Sequence, residues 1–502
     1  MTTIAPDITD IRIYQKLGRV DVKSLNTVDQ LLLILPTRPK ATDFARIPQG
    51  AKLQSLFRKQ KPGSTPAFTT HLSNKKQTMV VAGITRSDAS TFEQLTMGRK
   101  LVASATTQKA GSLGICALGF KGDDQRRIIN NVLAAVLAAA SPMPTFKAKS
   151  TPATIKSIRL LGLEEALDTS RTSAEAKGNN LARWLTTLPP NMLDGKCYAD
   201  LVKVLAKGNG WQYKRFGSKD LQLLGAGAFL AVAQGNEDDS ASIVHLRYRP
   251  GSKKAGADLS LVGKGIIFDT GGTNLKPFQS MLDMHGDMQG SAVALGTLLA
   301  ISELKLPIAV DCWLAITENR TGPQAYKSQD VVTAANGKTI QTIHTDAEGR
   351  MALADTLVLA SREHPGMIID YATLTGTCVS AITTRYSGVF TNRAELHPRL
   401  KRTGQHCGER VWPFPIGKEF LEELKSPTAD FMQCSPKGSG DHILAASFLA
   451  EFIENNTPWV HIDLSAGDNE GGLGHVASKF TGFGVRYTLS AILDEKLLEA
   501  TP

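Results

Sequence analysis

The chain has 502 residues, 42% of them hydrophobic and 21% charged, with 57 Lys and Arg against 47 Asp and Glu for a formal net charge of +10. That length exceeds what one hydrophobic core usually holds, so two domains are expected, and the balance of apolar and charged residues excludes a chain dominated by disorder. The longest apolar runs, Leu31–Leu35 and Val132–Ala140, fall well short of the roughly 20 residues that span a membrane, and six scattered cysteines without a Cys-x-x-Cys pair exclude a thiolate zinc site and a small disulfide framework.

At the N-terminus, Met1–Asp10 carries two acids and no basic segment ahead of an apolar one, so it does not resemble a secretory signal and a cytoplasmic location is expected. Residues 1–160 hold 24 Lys and Arg but only 9 Asp and Glu, a net of +15, whereas residues 161–502 are net −5. The change places a domain boundary near residue 160. Within the first part, Thr78–Ile84 and Leu113–Phe120 read as strands and Asp123–Ala140 as a helix that stops before Ser-Pro, an α/β pattern without a phosphate-loop signature. Its clusters Arg58, Lys59, Lys61 and Lys75, Lys76 are candidate nucleic-acid contacts, but no nucleic-acid motif accompanies them, and a solvated face or a contact with an acidic neighbouring subunit is the favoured reading.

Residues 161–178 read as a linker helix region, and the helical stretch Asn179–Thr187 stops at Pro189-Pro190-Asn191. Strands are then expected at Ser242–Tyr248, Leu259–Val262, Ile308–Ile316, Met367–Tyr371 and Trp459–Leu464, with helices near Gly290–Glu303, Arg350–Glu363 and Ile443–Glu454. This alternation predicts a smaller N-terminal α/β domain followed by a larger α/β domain, residues 179–502, with a mainly parallel central sheet covered by helices. In such sheets ligands gather beyond the strand carboxyl ends.

Two Gly-flanked stretches fit that rule, Leu261–Lys276 and His344–Arg350. Asp269, Asp287, Asp346 and Glu348 supply four carboxylates, a concentration of negative charge that is unfavourable in one cleft unless cations neutralise it, and two divalent metals suit it better than one. Oxygen-rich, sulfur-free donors favour zinc, manganese, magnesium or cobalt. Asp346 and Glu348, one residue apart, would face the same side of an extended segment, with Gly349 turning the backbone into a helix that opens at Arg350. Lys264 and Lys276 are the unusual members: a lysine ligates metal only as the neutral amine, whereas a charged one polarises a carbonyl or stabilises a tetrahedral intermediate. Spacing alone does not assign these two roles.

In these stretches the chain resembles the leucyl (cytosol) aminopeptidase family of dinuclear metallopeptidases. The family signature Asn-Thr-Asp-Ala-Glu-Gly-Arg-Leu stands here as His344-Thr-Asp-Ala-Glu-Gly-Arg-Met351, and further motifs agree in order over roughly residues 176–490: Leu185–Asn191, Val262–Lys276, Met284–Gly290, Asp330–Lys338, Asp370–Gly376 and Thr481–Arg486. The resemblance implies that Lys264, Asp269, Asp287, Asp346 and Glu348 are metal ligands, Asp269 and Glu348 being shared by both ions. It implies that Lys276 is the catalytic lysine and that Arg350 holds a bicarbonate acting as general base. It further implies release of N-terminal amino acids from peptides, two divalent ions per subunit (zinc or manganese first, magnesium or cobalt as alternatives) and a homohexamer. An inactive relative is disfavoured by the intact ligand set.

Two departures stand out. His344 replaces the family's Asn, and a hydrogen bond from it to a carboxylate is expected rather than direct ligation. At Asp463-Leu-Ser-Ala-Gly-Asp468 many relatives read Asp-Ile-Ala-Gly and an apolar residue. By resemblance this loop lines the pocket for the first side chain with Met284, Thr373, Leu374 and Gly376. Asp468 would then favour a basic residue there, unless it points to solvent.

Overall fold

The computed structural model describes residues 11–108, 110–149, 155–236, 240–251 and 256–499. The segment Met1–Asp10, expected not to be a signal, lies outside the described residues. Two sheets organise the rest. The first comprises β1 (Arg12–Leu17), β2 (Gln30–Pro36), β3 (Phe68–His71), β4 (Met79–Thr85), β5 (Ser112–Ala117) and β6 (Ser157–Leu163) in the order β1-β6-β5-β2-β4-β3, all parallel except the edge strand β3. Leu31–Leu35, too short to cross a membrane, is the buried β2 at the middle of this sheet, where both faces are covered and an unbroken apolar run is what a strand needs. Helices Thr91–Ala105 and Gly122–Ala140 cover one face; the first opens with a Ser90/Glu93 capping box and the second with Asp123 and Asp124 in its first turn.

The larger sheet contains β7 (Gln212–Phe216), β8 (Ser242–Tyr248), β9 (Leu259–Asp269) and β10 (Val310–Asn319). After a small sheet built from β11 (Val331–Thr333), β12 (Thr339–Gln341) and β16 (Phe431–Met432), it is completed by β13 (Ile368–Ala372), β14 (Ser387–Thr391), β15 (Val411–Pro413) and β17 (Trp459–Asp463). Its order is β15-β14-β17-β13-β9-β10-β8-β7, with the four central strands β17, β13, β9 and β10 parallel and antiparallel pairings at β14–β17, β10–β8 and β8–β7. One layer of helices includes Ser170–Thr187 and Gln289–Glu303; the opposite layer includes Glu348–Ser361 and Asp441–Ala450. Among the described residues no helix is long and apolar enough to cross a membrane.

Helix Ser170–Thr187 meets helix Gln289–Glu303 in a backbone-to-backbone crossing. A Cβ on Gly178 would lie 2.2 Å from the Gly296 carbonyl oxygen, and one on Gly296 would lie 2.3 Å from that of Gly178. Only two glycines allow this approach.

Two expectations are corrected by the structure. β9 runs to Asp269 instead of ending at Val262, so Lys264 and Asp269 stand on a central strand and not in the loop after it. Gly263 and Gly265 weaken the strand pattern in the sequence, yet a Cβ on Gly263 would meet the Ser291 Cα at 2.4 Å, so the small residue serves the packing of helix Gln289–Glu303 on this strand. The second correction concerns Asp346, which sits in a turn, and Glu348, which is the first helical residue; the helix opens there and not at Arg350.

Candidate active site

The carboxyl end of β9 and the loops beside it gather the expected residues. Lys264, 3% exposed, points its Nζ between Asp287 (2.8 Å to Oδ2) and Glu348 (3.0 Å to Oε1) and donates a hydrogen bond to the Thr373 carbonyl at 2.9 Å. Asp269, at the end of β9, accepts hydrogen bonds from the Asn319 amide and the Gly271 backbone N–H, both at 2.8 Å. Lys276 spans the opposite side, 2.8 Å from Asp269 and 2.5 Å from Asp346. The turn that carries Lys276 back over Asp269 uses Gly271 and Gly272 at φ +86° and +66°, and the Lys276 N–H closes it on the Thr270 carbonyl at 2.9 Å.

The arrangement suits cations. Oxygens of Asp269, Asp346 and Glu348 lie within 4.8 Å of one another, while Asp287 joins the group through Lys264. Glu348 Oε2 is buried with no hydrogen-bond partner, an expensive position for a carboxylate oxygen unless a cation meets it. Burial, reinforced by repulsion from Asp269, pushes Glu348 up to about 8 and Asp287 up to about 6, and it raises Asp346 as well. Burial alone would lower Lys264 and Lys276, but the surrounding carboxylates outweigh it and raise both. Four carboxylates against two ammonium groups leave a surplus of negative charge that divalent ions match.

Gly349 has a different task from the sharp turn expected of it. It lies inside helix Glu348–Ser361, and a Cβ there would stand 2.5 Å from Lys264 Cε and 2.7 Å from its Nζ. The obstructed atoms end a flexible side chain, but that end is buried and held by three acceptors. Alanine normally stabilises a helix by about 1 kcal/mol relative to glycine. Gly349→Ala is expected to reverse that sign, lowering the melting temperature and the bound metal seen by elemental analysis; a variant with unchanged metal content would show that Lys264 has room to move.

Residues not singled out by the sequence hold the site in shape. Thr345 donates to the Gly271 carbonyl at 2.6 Å, and its own carbonyl accepts from Asn319 and the buried Tyr326 hydroxyl. Gln433 accepts from the backbone N–H groups of Ile343 and His344 and donates to the Ala347 carbonyl. Their signal is weak, because an isolated polar residue in a loop or at a strand end has many ordinary fates.

His344 differs from expectation: its ring is exposed, and its Nδ1 accepts a 3.3 Å hydrogen bond from the Asp346 backbone N–H, not one involving a carboxylate. Thr373 donates to Asp287 at 2.7 Å, and the Leu374 N–H donates to buried Asp463 at 3.2 Å, so both sit at the cluster's edge. Met284 opens the short turn that leads into Asp287, and Gly376 is exposed with open space around it. Asp468 faces Lys479, which also pairs with Asp283 and Glu470 at 2.8 Å.

Arg350 is fully buried, with both Nη atoms of its guanidinium engaged. Nη1 donates to Asp441 Oδ1 at 3.0 Å and to the Gln433 carbonyl at 3.2 Å, while Nη2 donates to Asp441 Oδ2 at 2.6 Å. The buried Arg350 Nε has no hydrogen-bond partner.

The N-terminal basic residues Arg58, Lys59, Lys61 and Lys75 are exposed, and Lys76 pairs with Asp29 at 2.6 Å.

The model of the cytosol aminopeptidase family catalytic domain matches residues 180–489. A probable cytosol aminopeptidase of Synechococcus sp. (strain CC9605) is 36% identical over 457 residues, covering 90% of this chain and 92% of that protein. One from Stutzerimonas stutzeri (strain A1501) is 41% identical over 325 residues, 63% of this chain and 64% of the relative. In fold, a mutant of tomato leucine aminopeptidase superposes with a TM-score of 0.83 over 98% of both chains at 24% identity. With the catalytic-domain match spanning every residue of the carboxylate and lysine cluster, this chain belongs to the cytosol aminopeptidase family.

Proposed function

We propose that in this metal-dependent aminopeptidase Lys264, Asp269, Asp287, Asp346 and Glu348 would hold two divalent ions. The observation that carries the reading is the convergence of the Asp269, Asp346 and Glu348 oxygens within 4.8 Å, with Glu348 Oε2 buried and unpartnered. When bound, such ions activate a water, polarise the scissile carbonyl and receive the free α-amine of a peptide. Zinc or manganese suits the oxygen-rich donors best, and magnesium or cobalt is compatible with them. Lys264 would ligate as the neutral amine, so the carboxylates that now raise its pKa would have to be neutralised before it loses its proton.

Lys276 acts on the substrate. Its ammonium is partly open to the cleft, with 13% of the side chain exposed, and is anchored on Asp269 and Asp346. From there it donates to the carbonyl oxygen as negative charge develops. Met284, Thr373, Leu374 and Gly376 line the pocket for the first side chain. Recognition of a free amine is tested by comparing leucine amide with its N-acetylated form: the free amide is cleaved and the blocked one is left intact, and equal cleavage of both would reject an aminopeptidase.

Asp468 tunes that pocket. Asp283, Asp468 and Glu470 outnumber Lys479, so the rim beside Met284 is negative and favours a basic first residue. Exposed charge pairs are worth at most about 1 kcal/mol, so Asp468→Ala is expected to lower the preference for lysine over leucine amides by about threefold. An unchanged ratio would place Asp468 outside the pocket.

The basic first sheet contributes none of these side chains. We assign residues 1–160 an accessory or oligomerisation role, followed by a linker at 161–178 and the catalytic unit at 179–502. The family likeness supports a cytoplasmic homohexamer acting on peptides with free N-termini.

A further inference from the structure

We propose that Arg99, on a helix that covers the first sheet, positions the loop 468–480 of the catalytic unit and, through it, the wall of the pocket for the substrate's first side chain. The inference rests on the aminopeptidase reading for what that pocket receives, and it gives the N-terminal part of the chain a share in selecting it. Arg99 stands on helix Thr91–Ala105 and crosses to the loop, where Nε donates to the Gly474 carbonyl at 3.1 Å and Nη1 donates to the Gly471 carbonyl. The charge strengthens both bonds, and the planar fork holds two carbonyls three residues apart at once. Leu95, one turn earlier on the same face of the helix, lines a small cavity together with Leu473, Gly474, His475 and Val476.

The loop needs such a hold. Gly471, Gly472 and Gly474 sit at φ +79°, +79° and +54°, and glycine loses more freedom on being fixed than any other residue. Leu473 and Val476 pair through their backbones at the tip, and the Asn469 N–H closes the base on the Lys479 carbonyl at 2.9 Å. Between these two closures Arg99 takes the glycine carbonyls. On the returning limb, Arg183 donates from Nε to the Ser478 hydroxyl at 2.9 Å and from Nη1 to the Ala138 carbonyl at 3.1 Å, which ties helix Gly122–Ala140 to the same loop.

The base of the loop reaches the site. Phe480, bridged to Asp468, stands edge-on to His285 with ring centroids 5.4 Å apart, and a Cβ on Gly286 would lie 2.6 Å from the Phe480 ring. His285 and Gly286 belong to the turn Met284–Gly286, which carries the pocket residue Met284 and runs into Asp287. Lys479 pairs with Asp283 at 2.8 Å just ahead of that turn. Loosening the tip therefore lets Phe480 and Lys479 withdraw from the turn, whereas Asp287 keeps its own partners, Lys264 at 2.8 Å and Thr373 at 2.7 Å. The pocket wall loses definition while the metal ligands stay in place.

The test compares wild type, Arg99→Met and Arg99→Lys, each loaded with manganese. Bound metal, amide hydrogen exchange, and kcat and KM for leucine and alanine amides are read. Arg99→Met, which keeps an apolar stem without the fork, is expected to keep its metals and to exchange residues 469–480 about tenfold faster, with strand Leu259–Asp269 unchanged. Its KM for leucine amide is expected to rise about tenfold with kcat within about twofold, and its preference for leucine over alanine to fall by about the same tenfold. Arg99→Lys keeps the charge but only one point of attachment, so it is expected to fall between the other two, and it serves if the methionine variant does not fold. A variant that merely loses folded protein would lose kcat equally for both amides at unchanged KM. That pattern, or unchanged exchange in residues 469–480, would overturn the proposal. Exchange is read on the protein alone, so it decides what Arg99 does even if the wild type cleaves no free-amine peptide, a result that would count instead against the aminopeptidase reading.

Discussion

Asp346→Ala is expected to bind fewer than two metal ions and to lose about 10³-fold or more in kcat/KM, equivalent to about 4 kcal/mol of transition-state stabilisation. The substitution removes one of the three carboxylates that converge within 4.8 Å and also frees Lys276 from its 2.5 Å partner, so ion binding and lysine placement fail together. Because Asp346 lies in a turn at the edge of the cleft, and is less buried than Asp269 or Glu348, its removal spares the fold better than loss of either of those. Elemental analysis beside steady-state kinetics checks the result. Two metals retained with near-normal turnover would remove Asp346 from the ligand set.

Lys276→Met separates the lysine from the metals. Methionine keeps much of the length and apolar volume of the stem but lacks the ammonium, so the variant is expected to keep both ions while kcat falls about 10²- to 10³-fold, the usual effect of losing one donor to a developing oxyanion. Asp269 loses a 2.8 Å ion pair in this variant but keeps its hydrogen bonds from Asn319 and Gly271, which hold the carboxylate in place. A fall in affinity for substrate with kcat unchanged would instead mean that Lys276 binds ground state and transition state equally.

The gathering of the carboxylates was legible in the sequence because they sit in two short Gly-flanked stretches plus Asp287, and so many carboxylates in one cleft repel one another unless cations join them. The local geometry of those stretches was not legible. Asp346 and Glu348 read as two positions of an extended strand, but Glu348 begins a helix, and convergence arises across a turn. Gly349 read as a hinge because spacing does not reveal that the Lys264 side chain passes over it.

Asp441 was least legible of all. It stands 91 residues beyond Arg350 in a stretch whose Ser and Gly read as a solvent loop, and only the folded chain brings the two together. In the first sheet, β4, β5 and the helix Gly122–Ala140 followed from their apolar patterns, whereas β1 is almost wholly exposed and offers no alternation to find. The central parallel strands of the larger sheet were foreseen, and the antiparallel edges were not, since a strand's direction depends on the connection and not on its composition.

Whether two ions at this cluster are what make the chain an enzyme is tested most directly by turnover of leucine amide. Metal-stripped protein receives manganese or zinc in known equivalents, with bound metal quantified in the same samples. Activity absent from the stripped protein and rising to a plateau at two ions per subunit is the predicted result. Full activity without metal, or two ions bound with no hydrolysis of any free-amine peptide, would contradict it.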